Sequence, residues 1–148
     1  MACGAALVLR YAEDMAELDY AFLADYATIS EGRLTAVGAS FTHVFVPQLP
    51  VEISFAVAGR LRVREDEEAP ELKVRFAAEE SNFEATVSGV VHRSPESLPY
   101  DGKVGILFTL AAGVPVAYEG LVQVEIFVNG EHQRYLAYEV KDASKQAE

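Results

Sequence analysis

The sequence predicts an all-β domain, an antiparallel β-sandwich of about eight to nine strands, Ig-like or a flattened barrel. Three observations carry this expectation. From Val51 to Val63 the residues Val51, Ile53, Phe55, Val57, Leu61 and Val63 are apolar at every second position, with only Gly59 interrupting. Period two places them on one face of a strand, whereas a helical turn would scatter them around a cylinder. The same alternation returns in Leu72–Ala78 and Phe83–Val91. The pair Asn129-Gly130, set between two apolar stretches, is a strong short-range hairpin signal. No stretch shows a sustained helical period.

Along the chain, Tyr20, Phe22, Leu23 and Tyr26 form an apolar run within Asp19–Ile29, and Ser30-Glu31-Gly32 supplies the turn into Leu34–Val37. These make a first hairpin. Phe41–Val46 is β-branched and aromatic, closed by Pro47 and Pro50, which donate nothing to a ladder. The Val51–Val63 strand follows, running about 40 Å at about 3.3 Å per residue, so a bend or bulge is expected at Ala58-Gly59. After the acidic loop Glu65–Pro70, the strands Leu72–Ala78 and Phe83–Val91 complete a three-strand meander with it.

Arg93–Gly102, with Pro95, Pro99 and Asp101-Gly102, reads as a loop crossing between sheets. Val104, Ile106, Phe108 and Leu110 then form a strand apolar on nearly both faces, expected at a central position and ended by Gly113 and Pro115. The final hairpin spans Tyr118–Lys141. A two-residue type I′ loop pairs Val128 with Glu131 and Val124 with Tyr135. A type I turn with a glycine bulge pairs Phe127 with Glu131 and Val122 with Leu136. The second is preferred because it gathers Val122, Leu136, Tyr138 and Val140 on one face. Residues 1–17 are expected to be a poorly ordered leader, with Met15 as an alternative start, residues 18–142 a single domain, and residues 143–148 a frayed tail.

The chain has 148 residues, 51% hydrophobic and 24% charged, which suits one domain able to bury a core without metals or disulfides. A net charge of -11 argues against nucleic-acid binding, which depends on Lys and Arg displacing counterions from phosphates. No apolar run reaches the ~18 residues of a membrane helix. The single cysteine, Cys3, permits no internal disulfide, which fits a reducing cytoplasm. Ala5–Leu9 lacks the preceding basic residues of a signal peptide.

No nucleophile elbow, phosphate loop, dinucleotide fingerprint or zinc-protease helix is present. His43, His92 and His132 fall on separate predicted strands, so no metal ligand set is expected. Glu65–Glu68 are consecutive acids without the spacing of a calcium loop. Asp14, Glu17, Asp19 and Asp25 read as surface charges, with Asp25 of interest only if buried. No catalytic residue and no cofactor is expected. One local feature departs from the global charge. Pairing the long strand with the next sets Leu61 opposite Val74 and Val63 opposite Leu72, and the outer face then sets Arg60 against Arg75 and Arg62 against Lys73. Such a basic stripe requires anionic neighbours, either Glu52, Glu71, Glu79 and Glu84 within the sheet or an acidic partner.

The run Tyr20–Gly38, with Leu23-Ala24-Asp25 and Gly32-Arg33-Leu34 inside it, Phe45–Pro50 and Val128-Asn129-Gly130 resemble a family of uncharacterised small β-rich bacterial proteins common in actinobacteria. The likeness runs from about Tyr20 to Lys141 and implies the same β-rich fold, with no activity or catalytic residues attached. The expected function is a non-enzymatic cytoplasmic binding or assembly module. It uses sheet edges and the face of Arg60, Arg62, Lys73 and Arg75 to bind a protein partner or a second copy, a homodimer being expected. The alternative is a small-molecule carrier or an enzyme with a cavity between the sheets, lined by Tyr20, Tyr26, Tyr118 or Tyr138.

Overall fold

The computed structural model describes residues 16–145, and these form ten strands in three sheets. In chain order the strands are β1 (Glu17–Ala24), β2 (Tyr26–Ser30), β3 (Arg33–Val37), β4 (His43–Val46), β5 (Val51–Val63), β6 (Glu71–Ala78), β7 (Phe83–Val90), β8 (Val104–Val116), β9 (Gly120–Val128) and β10 (Glu131–Asp142). A three-stranded sheet has the order β1-β5-β8, a five-stranded sheet the order β4-β10-β9-β6-β7, and β2-β3 is a separate hairpin. No barrel is closed. All strand pairs are antiparallel except β4 with β10, which run parallel from His43 opposite Glu139 to Val46 opposite Asp142. Residues 1–15, which hold most of the expected leader, lie outside the described residues, while Ala16 is buried in the core.

Strand β5 has the boundaries its alternation predicts, and Ile53, Phe55, Val57, Leu61 and Val63 are all buried. Its register with β8 runs unbroken from Val51 opposite Val116 to Val63 opposite Val104. The expected bulge at Ala58-Gly59 is therefore absent, and the irregularity falls on the partner strand, between Leu18 and Tyr20 of β1. Gly59 interrupts the apolar row for a steric reason. A Cβ there would lie 2.2 Å from the Tyr20 carbonyl oxygen and 2.9 Å from Phe108 Cζ, so the Phe108 ring fills the space a side chain would need.

The run Asp19–Ile29 is two strands, not one. Asp25 ends the β1-β5 pairing, its N–H donates to the Val37 carbonyl at 3.0 Å, and β2 turns back through Glu31-Gly32 into β3. Both turn residues have positive φ, 51° and 73°, as a type I′ hairpin requires. Strand β2 lies against the outer side of β5 and β8. This is why Ala56 and Ala58, assigned to the solvated face by alternation, are buried.

The predicted meander of β5, β6 and β7 does not form. Leu61 pairs with Leu18 and Ile106, and Val63 with Val104, while Leu72 and Val74 pair with Val128 and Ile126 of β9 and with Gly89 and Val87 of β7. Alternation fixes which face of a strand is buried but not which neighbour supplies the ladder. Both apolar rows are satisfied by one hydrophobic cluster that draws on both sheets. At its centre Phe55 of β5 meets Phe76 of β6 at 5.9 Å, Tyr138 of β10 at 5.3 Å and Phe41 at 6.5 Å between ring centroids, all edge-on.

The 91–103 loop carries the chain from the five-stranded to the three-stranded sheet, as its proline content predicts. Strand β8 is an edge strand, not a central one, and it continues past Gly113 and Pro115 to Val116. Its second apolar face is explained by the β2 contact instead of by a further strand. The last hairpin adopts the two-residue loop instead of the preferred type I turn with a glycine bulge. Asn129 and Gly130 have φ of 50° and 82° and join Val128 to Glu131 in a two-residue loop, then a bulge between His132 and Arg134 shifts the ladder by one residue. Val122 consequently faces Tyr138 and Val124 faces Leu136, two residues along β10 from the preferred pairing of Val122 with Leu136 and one residue from the type I′ pairing of Val124 with Tyr135. The expected common inward face survives, with Val122, Tyr138 and Val140 buried and Leu136 half-buried. Ala143–Lys145, expected in the tail, form a short 3-10 turn.

Candidate functional site

Because β5 and β6 belong to different sheets, the basic stripe divides into two unrelated groups. Arg60 and Arg62 project from the outer face of β5. The Arg60 guanidinium donates through Nε and Nη2 to Asp19 Oδ2 and lies over the rings of Tyr20 and Tyr100, at 5.1 and 5.5 Å. The hydrogen bond to Asp19 raises the Arg60 pKa above its ordinary value. Arg62 sits over Tyr100 at 5.1 Å, donates to the Asp101 carbonyl at 3.1 Å and approaches Glu17 at 3.7 Å, which also meets Lys103 at 3.4 Å.

Lys73 and Arg75 occupy the outer face of β6. Arg75 bridges Glu84 at 3.1 Å and Glu125 at 3.2 Å, so its pKa is raised and that of Glu84 lowered by their hydrogen bond. Lys73 lies over Phe127 at 4.7 Å. Of the acids expected to balance the stripe, Glu84 does so. Asp19, Glu17, Asp101 and Glu125 perform the rest, and sequence pairing overlooked them because it placed β6 beside β5.

The remaining chemical candidates do not converge. His43 stacks on Phe45, His132 approaches Glu125 at 3.2 Å, and His92 lies in the loop after β7 instead of on a strand. No group of three His, Cys, Asp or Glu side chains able to hold a metal exists among the described residues. The acidic loop folds on itself, with Asp66 beside Arg64 at 3.4 Å and Glu67 Oε1 accepting the Arg64 N–H at 3.3 Å. Asp25 is exposed. The four tyrosines line no common cavity. Tyr26 and Tyr118 are 58% and 66% exposed, Tyr20 lies under Arg60 outside the sheet, and Tyr138 alone is buried, among Phe41 and Phe55. Burial there pushes the Tyr138 phenol pKa up.

The feature that sequence reading missed is the side where both larger sheets end, the three-stranded one at β8 and the five-stranded one at β7. Inward residues Val104, Ile106, Phe108, Val114 and Val116 of β8 are buried, yet Leu110 and Ala112 between them are only half-buried. An apolar cleft of about 440 Å³ opens there between Leu110 and Leu107 of β8 and Val87 and Val90 of β7, which are 46% and 55% exposed. A smaller one of about 170 Å³ continues between Ala112 and Phe83. Beyond the first cleft, at the end of the β2-β3 hairpin, lies a third of about 470 Å³ that brings Arg60, His92, Arg93 and Tyr100 together over Ile29 and Leu107. The available signal was composition: β8 is 13 residues long and contains no charged residue.

Edges of this kind are normally blunted by charges, bulges or short length. Strand β1 has Glu17, Asp19 and a bulge, and β4 has only 4 residues. Strand β7 has 8 residues with Glu84 and Gly89. Strand β8 has no charged residue and no break in its register with β5, and carries only Gly105, Gly113 and Pro115 against pairing.

No helix among the described residues is long and apolar enough to cross a membrane. No curated protein matches the sequence. Among solved structures, the alkylpurine DNA glycosylase AlkC of Pseudomonas fluorescens, bound to DNA containing an abasic site analog, is similar at 12% identity with a TM-score of 0.40. The likeness covers 82% of this chain and 30% of that one, so the chain spans less than a third of that enzyme, and so distant a likeness carries no argument about activity. Residues 19–141 match the family of unknown function DUF6941, and the chain belongs to that family.

Proposed function

We propose that the protein is a non-enzymatic cytoplasmic assembly module, built as an open sandwich of the three- and five-stranded sheets, that joins a second copy of itself along β8. The observation that carries this reading is an edge strand of 13 residues with no charged side chain on a molecule of net charge -11. Two such molecules repel over most of their surfaces, so the face along which they meet must be neutral, and β8 is the long neutral edge among the described strands. Its outward residues Thr109, Ala111 and Gly113 are small and exposed, which lets a second backbone approach. Antiparallel β8-β8 pairing is self-complementary, satisfies the free N–H and C=O groups of both edges, and closes a two-fold dimer.

Light scattering at about 100 µM tests it, since screened charges then permit contact at ordinary salt. The parent is expected to have twice the 16.1 kDa chain mass, and Ala111→Lys the single mass with an unchanged melting temperature. Phe45→Lys, on the exposed surface of β4, is expected to remain dimeric. A monomeric parent, or an Ala111→Lys variant that stays dimeric, overturns the reading.

A further inference from the structure

We infer that the cleft at the end of the β2-β3 hairpin is a binding site for a small organic anion, a carboxylate or phosphate joined to a short apolar body. Its lining has two parts. One is polar and holds Arg60, His92 and Arg93. Arg93 and His92 have no ion-pair partner among the described residues, in a chain where Asp and Glu outnumber Lys and Arg by 23 to 12. The lining holds two guanidinium groups, Arg60 and Arg93, and no Asp or Glu, a local reversal of the protein's charge.

Arg60 is fixed in place by Asp19 and by the rings of Tyr20 and Tyr100. Asp19 occupies its Nε and Nη2, leaving Nη1 without a protein partner among the described residues. A guanidinium held this way presents donors to a carboxylate or phosphate without paying to order its own chain.

The other part of the lining is apolar. Ile29, Leu98 and Leu107 face the cleft, with Leu98 82% exposed. Exposed charge pairs alone are weak and screened, so inorganic phosphate by itself has little to hold it. An aliphatic or aromatic body covering these side chains adds the hydrophobic contribution that the ion pairs lack. The volume of about 470 Å³ falls in the range of small-molecule clefts. The cleft borders β8 through Gly105, Ile106 and Leu107, but its recognition groups Arg60, Arg93 and Leu98 lie off that strand, so variants at those positions read binding apart from assembly.

Isothermal titration with octanoate, octyl phosphate, octanol and inorganic phosphate tests it on the full chain. Octanoate and octyl phosphate are expected to bind about tenfold more tightly than octanol or inorganic phosphate, because only they engage both parts of the lining. Whichever of the two binds more tightly identifies the head group. Arg93→Gln and Leu98→Ser, both at exposed loop positions, are each expected to weaken binding about fivefold with melting temperatures unchanged. Arg75→Gln, on the other sheet, is expected to leave binding intact. Octanol binding as tightly as octanoate, parental affinity in Arg93→Gln, or no heat from any of the four probes overturns the inference.

Discussion

Replacing Phe55 tests the placement of the core most sharply, because this one side chain touches both large sheets. Phe55 is 3% exposed and meets Phe76 of β6, Tyr138 of β10 and Phe41 edge-on. Truncation to Ala removes about 3–5 kcal/mol, a figure that contains both the lost burial and the cavity left among those rings. For a domain of this size each kcal/mol lowers the melting temperature by about 3–5 °C, so Phe55→Ala is expected to melt about 10–20 °C below the parent. Phe55→Asp adds an unpaired buried charge and is expected to unfold the domain, whose total stability is of the order of 5–15 kcal/mol. Ser54→Asp places the same charge one residue away on an exposed position opposite Gly113 and is expected to cost less than about 1 kcal/mol. Circular dichroism melts of the three variants read the result. Equal melting temperatures for Phe55→Asp and Ser54→Asp would show that the faces of β5 are reversed.

The Tyr138 hydroxyl is buried without a hydrogen-bond partner among the described residues, so Tyr138→Phe is expected to raise stability by about 1 kcal/mol in urea denaturation, and a loss of stability would reveal a partner. Arg62 and Lys73 stand on different sheets, so a double-mutant cycle of Arg62→Gln and Lys73→Gln is expected to show coupling below about 0.5 kcal/mol, whereas relief of repulsion would restore the adjacent pairing. Glu119 accepts the Asp142 N–H at 2.8 Å and approaches Lys145 at 3.5 Å, which lowers its pKa from 4.5. A lowered folded pKa means that this stabilisation is complete above the unfolded value and is lost as pH falls through the folded one. The protection factor of the Asp142 amide, its exchange rate relative to the intrinsic rate at each pH, is therefore expected to fall below about pH 4.5 in the parent and to change less in Glu119→Gln, which keeps an acceptor but does not titrate. An equal loss of protection in both would show that the carboxylate is not the cause.

Period-two alternation was sufficient to locate β5, β6 and β7 and to sort Phe55, Val57, Leu61, Val74 and Phe76 into the core. It could not assign neighbours. Leu61 is equally well buried beside Val74 in one sheet or facing the other sheet across a core, and only the path of the 64–70 loop decides between them. The position of β8 was misread for a related reason: a strand apolar on both faces can be central, or it can be an edge strand covered by a hairpin, as β2-β3 covers this one. The final hairpin shows a third limit, since Asn129-Gly130 specifies the turn and carries no information about a bulge four residues away. Arg60 and Arg62 were legible as an unusual cationic pair, but their partners Asp19, Tyr100 and Asp101 come from distant segments that alternation does not bring together.

Hydrogen exchange as a function of protein concentration tests the assembly of two copies along β8 most directly. The β8 amides that do not bond to β5 are expected to exchange freely at about 1 µM and to become protected at about 100 µM, while edge amides of β1 and β4 exchange at the same rate at both concentrations. Exchange of β8 that is independent of concentration, or protection that appears on β1 or β4 instead, contradicts the account.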